Sequence, residues 1–187
     1  MERVTLNRPL SAVLMGGRQA GCIGLLTALG VGRCEVLGAV AHEDLFRGFA
    51  ELFDIPTFDS VREASLKPLL KRSDLLICVH GLEVVPKALL ELPRLGGINV
   101  HPCLYAYKGL HPIERLLRDG NRRASVGVHR MTERIDVGEI LVEEFVDIGS
   151  RRTIEEVYNL LYPLYAAVLF KALQEIHKEA ESALTHR

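Results

Sequence analysis

The chain has 187 residues, of which 48% are hydrophobic and 25% charged, a balance typical of one globular domain with its own core. Lys and Arg total 23 and Asp and Glu total 24, so the net charge of −1 provides no overall attraction to a nucleic-acid backbone. Nucleic acid is therefore a disfavoured partner. We interpret four neighbouring arginines as a solvated face: Arg122, Arg123, Arg130 and Arg134.

Membrane and secretion signals are missing from the sequence. No window reaches the roughly 18 consecutive apolar residues of a membrane-spanning helix, and charges interrupt the start of the chain where a signal peptide would lie. We therefore expect no membrane partner and a cytoplasmic location. The four cysteines, of which the first three have apolar surroundings typical of reduced core thiols, form no C-x-x-C pair: Cys22, Cys34, Cys78 and Cys103.

The first hundred residues alternate between short apolar runs and segments with helical spacing. This pattern predicts a parallel sheet with helices on both faces. In chain order the predicted elements are strand Ser11–Met15, helix Ala20–Leu29, strand Val36–Val40, helix Leu45–Phe53, helix Val61–Lys71, strand Leu75–Val79, helix Pro86–Leu92 and strand Ile98–Val100.

The remainder of the chain follows a different pattern. Strand-like runs at Ala124–Met131 and Glu139–Ile148 are close in sequence, which predicts an antiparallel pair that extends the sheet. A long helix is predicted at Thr153–Lys178, with a kink at Pro163. Its apolar stripe comprises Ile154, Val157, Leu160, Leu161, Leu164, Val168 and Leu169.

These elements predict a single-domain α/β fold over residues 1–187, with a mostly parallel sheet flanked by helices. We expect residues 1–10 to form an N-terminal arm and residues 179–187 a frayed tail. The long helix could provide a homodimer contact, although covering its own sheet is the simpler interpretation.

The segment GINVHPCLYAYKG, residues 97–109, holds the first candidate functional pair. Asn99 and His101 are two residues apart at the end of a predicted buried strand, so their side chains share a face. Ligands bind beyond the carboxyl ends of strands in open α/β sheets. From these residues alone, a hydrogen-bonded loop Asn and a surface His remain an equally simple interpretation.

The segment RIDVGEIL, residues 134–141, holds the second candidate. Asp136 lies in the predicted turn between two strands. A site carboxylate is one interpretation of Asp136, and ordinary turn chemistry is the other, because Asp and Gly are common turn formers.

Together these segments resemble the folate-dependent formyltransferases. The run INVHP, the later YKG-x-x-P-I and the stretch GVH-x-M-x-x-x-I-D-x-G-x-I-L are similar to the family pattern N-x-H-x-S-L-L-P-x-Y-R-G followed by D-x-G-x-I-L. The family includes glycinamide ribonucleotide formyltransferase, the catalytic domain of methionyl-tRNA formyltransferase and sugar N-formyltransferases. The resemblance covers roughly residues 11–175 and implies a formyltransferase-like Rossmann-type fold, with Asn99, His101 and Asp136 as the catalytic trio.

The implied reaction gives each of these residues a role. An amine that attacks a formyl carbon produces an oxyanion, to which the Asn99 amide and a protonated His101 can donate hydrogen bonds. The Asp136 carboxylate can fix the His101 tautomer, raise its pKa and assist proton movement from the amine to the leaving nitrogen.

The resemblance also implies a cosubstrate, 10-formyltetrahydrofolate. The loop before the Asn99 strand would accept the pterin through backbone groups, and the turn 132–138 would cover its other side. The implied contacts are His80, Gly81, Leu82, Val84, Val85, Thr132 and Gly138, with Leu82, Val84 and Val85 as apolar walls or, alternatively, as ordinary packing.

The sequence departs from the family pattern beside the trio. Cys103, Leu104, Tyr105 and Ala106 replace S-L-L-P, and Lys108 replaces the Arg, which puts donor affinity and acceptor choice in doubt. A nucleophilic Cys103 with His101 or His111 as base is a disfavoured alternative.

Two further patterns were weighed as sites. The glycine-rich run 16–24 follows a strand and opens a helix, but matches neither G-x-G-x-x-G nor a P-loop, so we interpret it as a tight turn near the acceptor. No metal is expected, because His101, His129 and Asp136 lack the spacing of a zinc site.

The sequence predicts an enzyme that formylates a small amine, with an amino-sugar or nucleotide-linked sugar as the leading acceptor. The end of the chain at Arg187 leaves no room for the β-barrel of the methionyl-tRNA enzymes, which argues against tRNA. The alternatives are a formyltetrahydrofolate hydrolase, which usually has an additional N-terminal domain, and a non-catalytic folate- or partner-binding member of the family.

Overall fold

The protein consists of a seven-stranded sheet with helices on both faces. The computed structural model describes residues 8–30 and 34–185. The strands are β1 Leu10–Gly16, β2 Cys34–Ala41, β3 Thr57–Phe58, β4 Leu75–Val79, β5 Gly97–Pro102, β6 Arg123–Arg130 and β7 Ile140–Asp147. The helices are α1 Arg18–Gly30, α2 Asp44–Glu51, α3 Lys67–Arg72, α4 Lys87–Leu90, α5 Pro112–Arg118 and α6 Ile154–Thr185.

The strand order is β3-β2-β1-β4-β5-β6-β7. The first five strands pair in parallel, whereas β6 and β7 are antiparallel to their neighbours. This confirms the predicted α/β class and the antiparallel extension. The order reverses between β1 and β4, and the Gly17 amide bonds the Val79 carbonyl at 3.2 Å just beyond the ends of these two strands. Such a reversal opens a crevice at the carboxyl edge of a sheet.

The central strands β1 and β4 are buried on both faces, as their continuous apolar runs predict, whereas β7 at the edge of the sheet is partly exposed. In β1, Leu10, Ala12 and Leu14 pack on the face that α1, α2, α5 and α6 cover. Val13 and Met15 point the other way, towards α3 and α4. Two cores therefore hold the central strands in place and fix the direction of the loops at their ends.

The helix predicted over Val61–Lys71 is wrong in its first half. The Val61 amide donates to the Glu83 carboxylate instead of entering a helix. A short 3-10 turn at Ala64–Leu66 precedes α3, in which Pro68 occupies the first turn. Proline fits there because its missing N–H would lack a partner in any case.

The end of the chain also differs from the prediction. Helix α6 continues to Thr185, so the frayed tail is wrong for residues 179–185; Ala180 is buried and Glu179 pairs with Arg130 at 2.6 Å. Residues 186–187 and the predicted arm over 1–7 lie outside the described residues, whereas Leu10 belongs to β1. Ile154 is 44% exposed and so leaves the predicted stripe, because it begins the helix beyond the edge of the core.

Two elements were not predicted, the two-residue β3 and the helix α5. Within the described part of the chain, no helix has both the length and the apolar character needed to cross a membrane.

Candidate active site

A cavity of about 340 Å³ opens at the carboxyl edge of the sheet, at the point where the strand order reverses. The residues after β1 and β4, the end of β5, the turn before β7 and one side chain of α6 line it. The fold therefore brings together chain segments that are far apart in sequence.

The three residues predicted to be catalytic meet at this cavity. Asp136 Oδ1 lies 3.2 Å from Asn99 Nδ2, and Asp136 Oδ2 lies 3.1 Å from His101 Nε2. The side chain of His101 is 12% exposed and that of Asp136 is 5% exposed. The trio therefore forms a connected, largely water-excluded group.

Local backbone geometry holds Asp136 in this position. Its φ is +54°, a left-handed conformation that Asp tolerates better than most residues. The Gly109 amide donates to Asp136 Oδ2 at 2.7 Å, and His101 Nε2 lies 3.1 Å from the Gly109 carbonyl. The loop after β5 thus binds both members of the pair.

A second histidine belongs to the group, and the sequence did not predict it as a site residue. His129 lies opposite Asn99 in the β5–β6 register, and its Nε2 lies 3.2 Å from both Asn99 Nδ2 and Asp136 Oδ1. Its Nδ1 lies 2.8 Å from the Arg130 carbonyl, which fixes the ring. His129 belongs to the run GVH of the family resemblance, but only the strand register, which the sequence leaves open, brings it opposite Asn99.

In the trio, the surroundings favour the charged form of Asp136 and the neutral form of His101. Burial alone would raise the pKa of Asp136, but His129, His101 and the Gly109 amide lower it to about 2. Burial lowers the pKa of His101, and the opposing pull of Asp136 does not overcome it. Asp136 therefore raises the pKa of His101 as predicted, but the net shift is downward, because the cost of burying an imidazolium exceeds the gain from one carboxylate.

The predicted donor-loop residues occupy one side of the cavity. Leu82 and Val84 are exposed there, whereas Val85 lines the cavity but is 3% exposed. Gly81 packs so closely on Met15 and Cys78 that a Cβ would lie 2.7 Å from their atoms.

The two residues predicted to cover the other side of the folate, Thr132 and Gly138, differ in where they lie. Thr132 lines the cavity, and its hydroxyl donates to the Arg134 carbonyl. Gly138 is not part of the lining. A Cβ at Gly138 would lie 1.8 Å from the Arg130 carbonyl oxygen, so its place in the structure is a close backbone approach.

A further side of the cavity holds His80 with two residues that the sequence did not identify. Tyr158 Oη lies 3.4 Å from His80 Nε2, and Arg18 follows the glycine-rich turn. Burial lowers the pKa of His80 to about 4 and raises that of Tyr158 to about 12, so both are neutral around pH 7. Gly17 allows this approach, because a Cβ would lie 2.7 Å from the His80 carbonyl oxygen.

The departures from the family pattern lie behind the site. Cys103 is fully buried outside the cavity lining, and burial raises its pKa to about 11, so it is a protonated thiol rather than a nucleophile. The Lys108 carbonyl accepts a hydrogen bond from Arg115. In the described ranges, no three His, Cys, Asp or Glu side chains form a group suited to a metal ion.

Three of the four arginines that we interpreted as a solvated face have different surroundings. Arg123 covers the Phe145 ring with its guanidinium 4.0 Å from the centroid, Arg130 pairs with Glu179, and Arg134 lines the cavity.

Comparison with known proteins identifies the class of protein that this fold and site define. The family model described as formyl transferase matches residues 58–173, so the chain belongs to the formyl transferase family. The methionyl-tRNA formyltransferase of Rickettsia felis is 36% identical over 105 residues, which cover 56% of this chain and 35% of the relative. The chain thus matches about a third of the length of that curated relative.

Solved structures share the fold. Phosphoribosylglycinamide formyltransferase from Bacillus halodurans superposes with a TM-score of 0.74 at 21% identity, covering 90% of this chain and 96% of the other. A formyltetrahydrofolate deformylase from Pseudomonas syringae gives a TM-score of 0.78 at 20% identity, covering 92% and 63%.

Proposed function

We propose that the chain is an N-formyltransferase that moves a formyl group from 10-formyltetrahydrofolate to the amine of a small acceptor. The observation that carries this proposal is the convergence of Asn99, His101 and Asp136 at one cavity in a member of the formyl transferase family.

The donor side of the proposal rests on the loop 80–86. Leu82 and Val84 expose apolar surface suited to a flat ring, with Ile135 exposed on the opposite turn. Leu82, Glu83 and Val85 make no backbone hydrogen bond within the residues that the structure describes. The free backbone N–H and C=O groups can bind the polar edge of a heterocycle such as a pterin, and the neighbouring apolar side chains can contact its ring face.

The proposed chemistry assigns proton transfer to His101. Its Nε2–H faces Asp136 and the Gly109 carbonyl, which leaves Nδ1 as the lone-pair nitrogen. Nδ1 is buried and has no hydrogen-bond partner among the described residues. A neutral imidazole with a lowered pKa can accept the proton of the attacking amine and return it to the leaving folate nitrogen.

Asp136 and Asn99 would stabilise the charges that develop. With a pKa of about 2, Asp136 is a poor proton acceptor, so its role is to orient His101 and stabilise the imidazolium that forms. The Asn99 amide would donate a hydrogen bond to the formyl oxygen as the oxyanion develops.

The acceptor side of the proposal rests on Arg18 and Tyr158. Arg18 is a cation with a side chain that is 60% exposed, and Tyr158 provides a ring face. An amine that carries an anionic group, such as an amino-sugar linked to a nucleotide, fits a cation beside aromatic rings. The identity to methionyl-tRNA formyltransferases favours methionyl-tRNA as the second candidate acceptor.

A transfer assay tests the proposal. The chain is mixed with 10-formyltetrahydrofolate and, separately, an amino-sugar nucleotide, glycinamide ribonucleotide, methionyl-tRNA or no acceptor, while tetrahydrofolate and formate are measured. We expect acceptor-dependent tetrahydrofolate release, and we expect Asn99→Ala to lower kcat by roughly 100- to 1000-fold, as loss of an oxyanion donor does.

The control variant is His177→Gln, which changes a half-buried histidine on α6 that pairs with Glu181. It should retain full activity, whereas His101→Gln should lose it. Formate release without any acceptor would instead identify a hydrolase, and no release under any condition would contradict an enzymatic role.

A further inference from the structure

The middle of the loop 80–86 presents two exposed apolar side chains between two fixed ends. Its start is fixed where Gly81 packs on Met15 and Cys78, and its end is fixed where Val85 is buried. Between them, Leu82 is 60% exposed and Val84 is 55% exposed. The Glu83 side chain, by contrast, is 21% exposed, because it turns towards a neighbouring segment.

The Glu83 carboxylate joins this loop to the chain that follows β3. Ser60 Oγ donates to Glu83 Oε1 at 2.7 Å, and the Val61 amide donates to Oε2 at 2.8 Å. His42 Nε2, at the end of β2, lies 3.1 Å from Oε2. Arg62 places its Nε 3.6 Å from Oε1 and also donates to the Val84 carbonyl at 3.0 Å.

The carboxylate is held in its charged state. Burial would raise the pKa of Glu83, but the hydrogen bonds from Val61, Ser60 and His42 lower it overall. Hydrogen bonds to an ionised acceptor are among the strongest that side chains make. A single charged group therefore provides most of the contacts that tie the middle of the loop to the rest of the protein.

We infer that Glu83 is a positioning residue for the formyl donor, because it fixes the loop 80–86 in the conformation that presents its backbone groups and apolar side chains to the cavity. This inference rests on the proposed function, in which that loop holds the folate. A loop that is already ordered costs less to bind against, so loss of the Glu83 contacts should weaken donor binding. The reaction step should not change, because Glu83 contacts none of Asn99, His101 and Asp136.

Ser60 offers a way to test the contact from outside the cavity, which it does not line. Donor binding is measured by isothermal titration with 5-formyltetrahydrofolate for Glu83→Ala, Ser60→Ala and the double variant. We expect Glu83→Ala to raise the Kd about tenfold and Ser60→Ala about fivefold, as loss of hydrogen bonds to a charged group implies. On the Glu83→Ala background, Ser60→Ala should add less than about twofold, because its partner on the loop is already gone and its remaining partner, the Arg62 amide, belongs to its own segment.

The matched control is Asp59→Ala, which removes an ion pair with Arg47 from the same segment without touching the loop. It should leave the Kd unchanged. In the transfer assay, Glu83→Ala should raise the KM for the donor while kcat at saturating donor stays within about twofold, a division that a general loss of folding would not produce.

Three results would overturn the inference. These are a Kd for Glu83→Ala within twofold of the parent protein, effects of Ser60→Ala and Glu83→Ala that simply multiply, and a fall in kcat with an unchanged donor KM. If the parent protein itself fails to bind the analogue, the proposed function fails with it. If the parent protein binds the analogue and the variants bind it equally well, only the positioning role of Glu83 is refuted.

Discussion

Asp136 has more polar partners than either Asn99 or His101, the other two members of the trio. Its two oxygens lie within 3.2 Å of Asn99, His101, His129 and the Gly109 amide. These partners explain why the pKa of Asp136 falls to about 2 although burial would raise it. At the residue scale, Asp136 is a fixed negative charge around which the donors of the site are arranged.

The pKa of His101 tests this description. Burial lowers it from its ordinary value of about 6.5, and Asp136 partly opposes that shift. NMR titration, with His101→Gln to assign the signal, should give a value below 6.5 and a still lower one in Asp136→Asn. Because the unfolded chain then binds more protons, His101 should also make the protein less stable as the pH falls below about 6.5. A value above 6.5, or an increase in Asp136→Asn, would contradict the electrostatic account.

Individual site residues differed in how well the sequence predicted them. Asn99, His101 and Asp136 lie in a recognisable pattern, and the structure brings them together as expected. His129 escaped prediction because its role depends on strand register, which period-two alternation leaves undetermined. Arg18 and Tyr158 escaped because they are 140 residues apart and meet only through the packing of α6.

At the scale of elements, the turn between β6 and β7 determines where Asp136 lies. Gly138 closes this turn against β6, since a Cβ there would lie 1.8 Å from the Arg130 carbonyl oxygen and 3.4 Å from a Thr132 carbon. The Arg130 main chain cannot move away without displacing the turn, so Gly138 is needed for the position of the Asp136 carboxylate.

Gly138→Ala should therefore damage both stability and activity. Overpacking of this kind costs about 1–3 kcal/mol in the free energy of unfolding. A displacement of Asp136 by about 1 Å should lower kcat by roughly 100-fold. Urea unfolding and the transfer assay measure the two effects.

Gly48→Ala provides the control for that substitution. Gly48 lies within α2, and no atom would lie within 4 Å of a Cβ there. It should stabilise the protein by about 0.5–1 kcal/mol, through helix propensity, with unchanged activity. If Gly138→Ala and Gly48→Ala have the same stability and activity, the close contact of Gly138 with the Arg130 carbonyl has no special role.

The elements that the sequence predicted well are those with long apolar runs. The strands β1, β2, β4 and β5 were found because both faces are buried. The two-residue β3 has too little pattern to detect, and the spacing of the segment 61–66 predicts a helix that does not form there. Its conformation depends instead on Glu83, a partner 22 residues further along the chain.

At the scale of the whole molecule, the reversal of strand order between β1 and β4 creates the cavity. The family match covers residues 58–173, and therefore includes the loop 80–86 and the trio. Of the residues that we assign to the acceptor, Arg18 lies outside the matched segment and Tyr158 lies within it. The recognisable motifs of the sequence fall on the trio, which is why the sequence indicates the donor chemistry better than the acceptor.

The central claim is that this cavity binds a formyl-folate against Asn99, His101 and Asp136. Isothermal titration of the protein with 5-formyltetrahydrofolate tests it most directly. We predict one-site binding with a Kd on the order of micromolar, retained in Asn99→Ala, because that residue acts on the oxyanion rather than on the bound donor. Absence of binding at roughly millimolar analogue, the upper end of ordinary substrate affinities, would contradict the account.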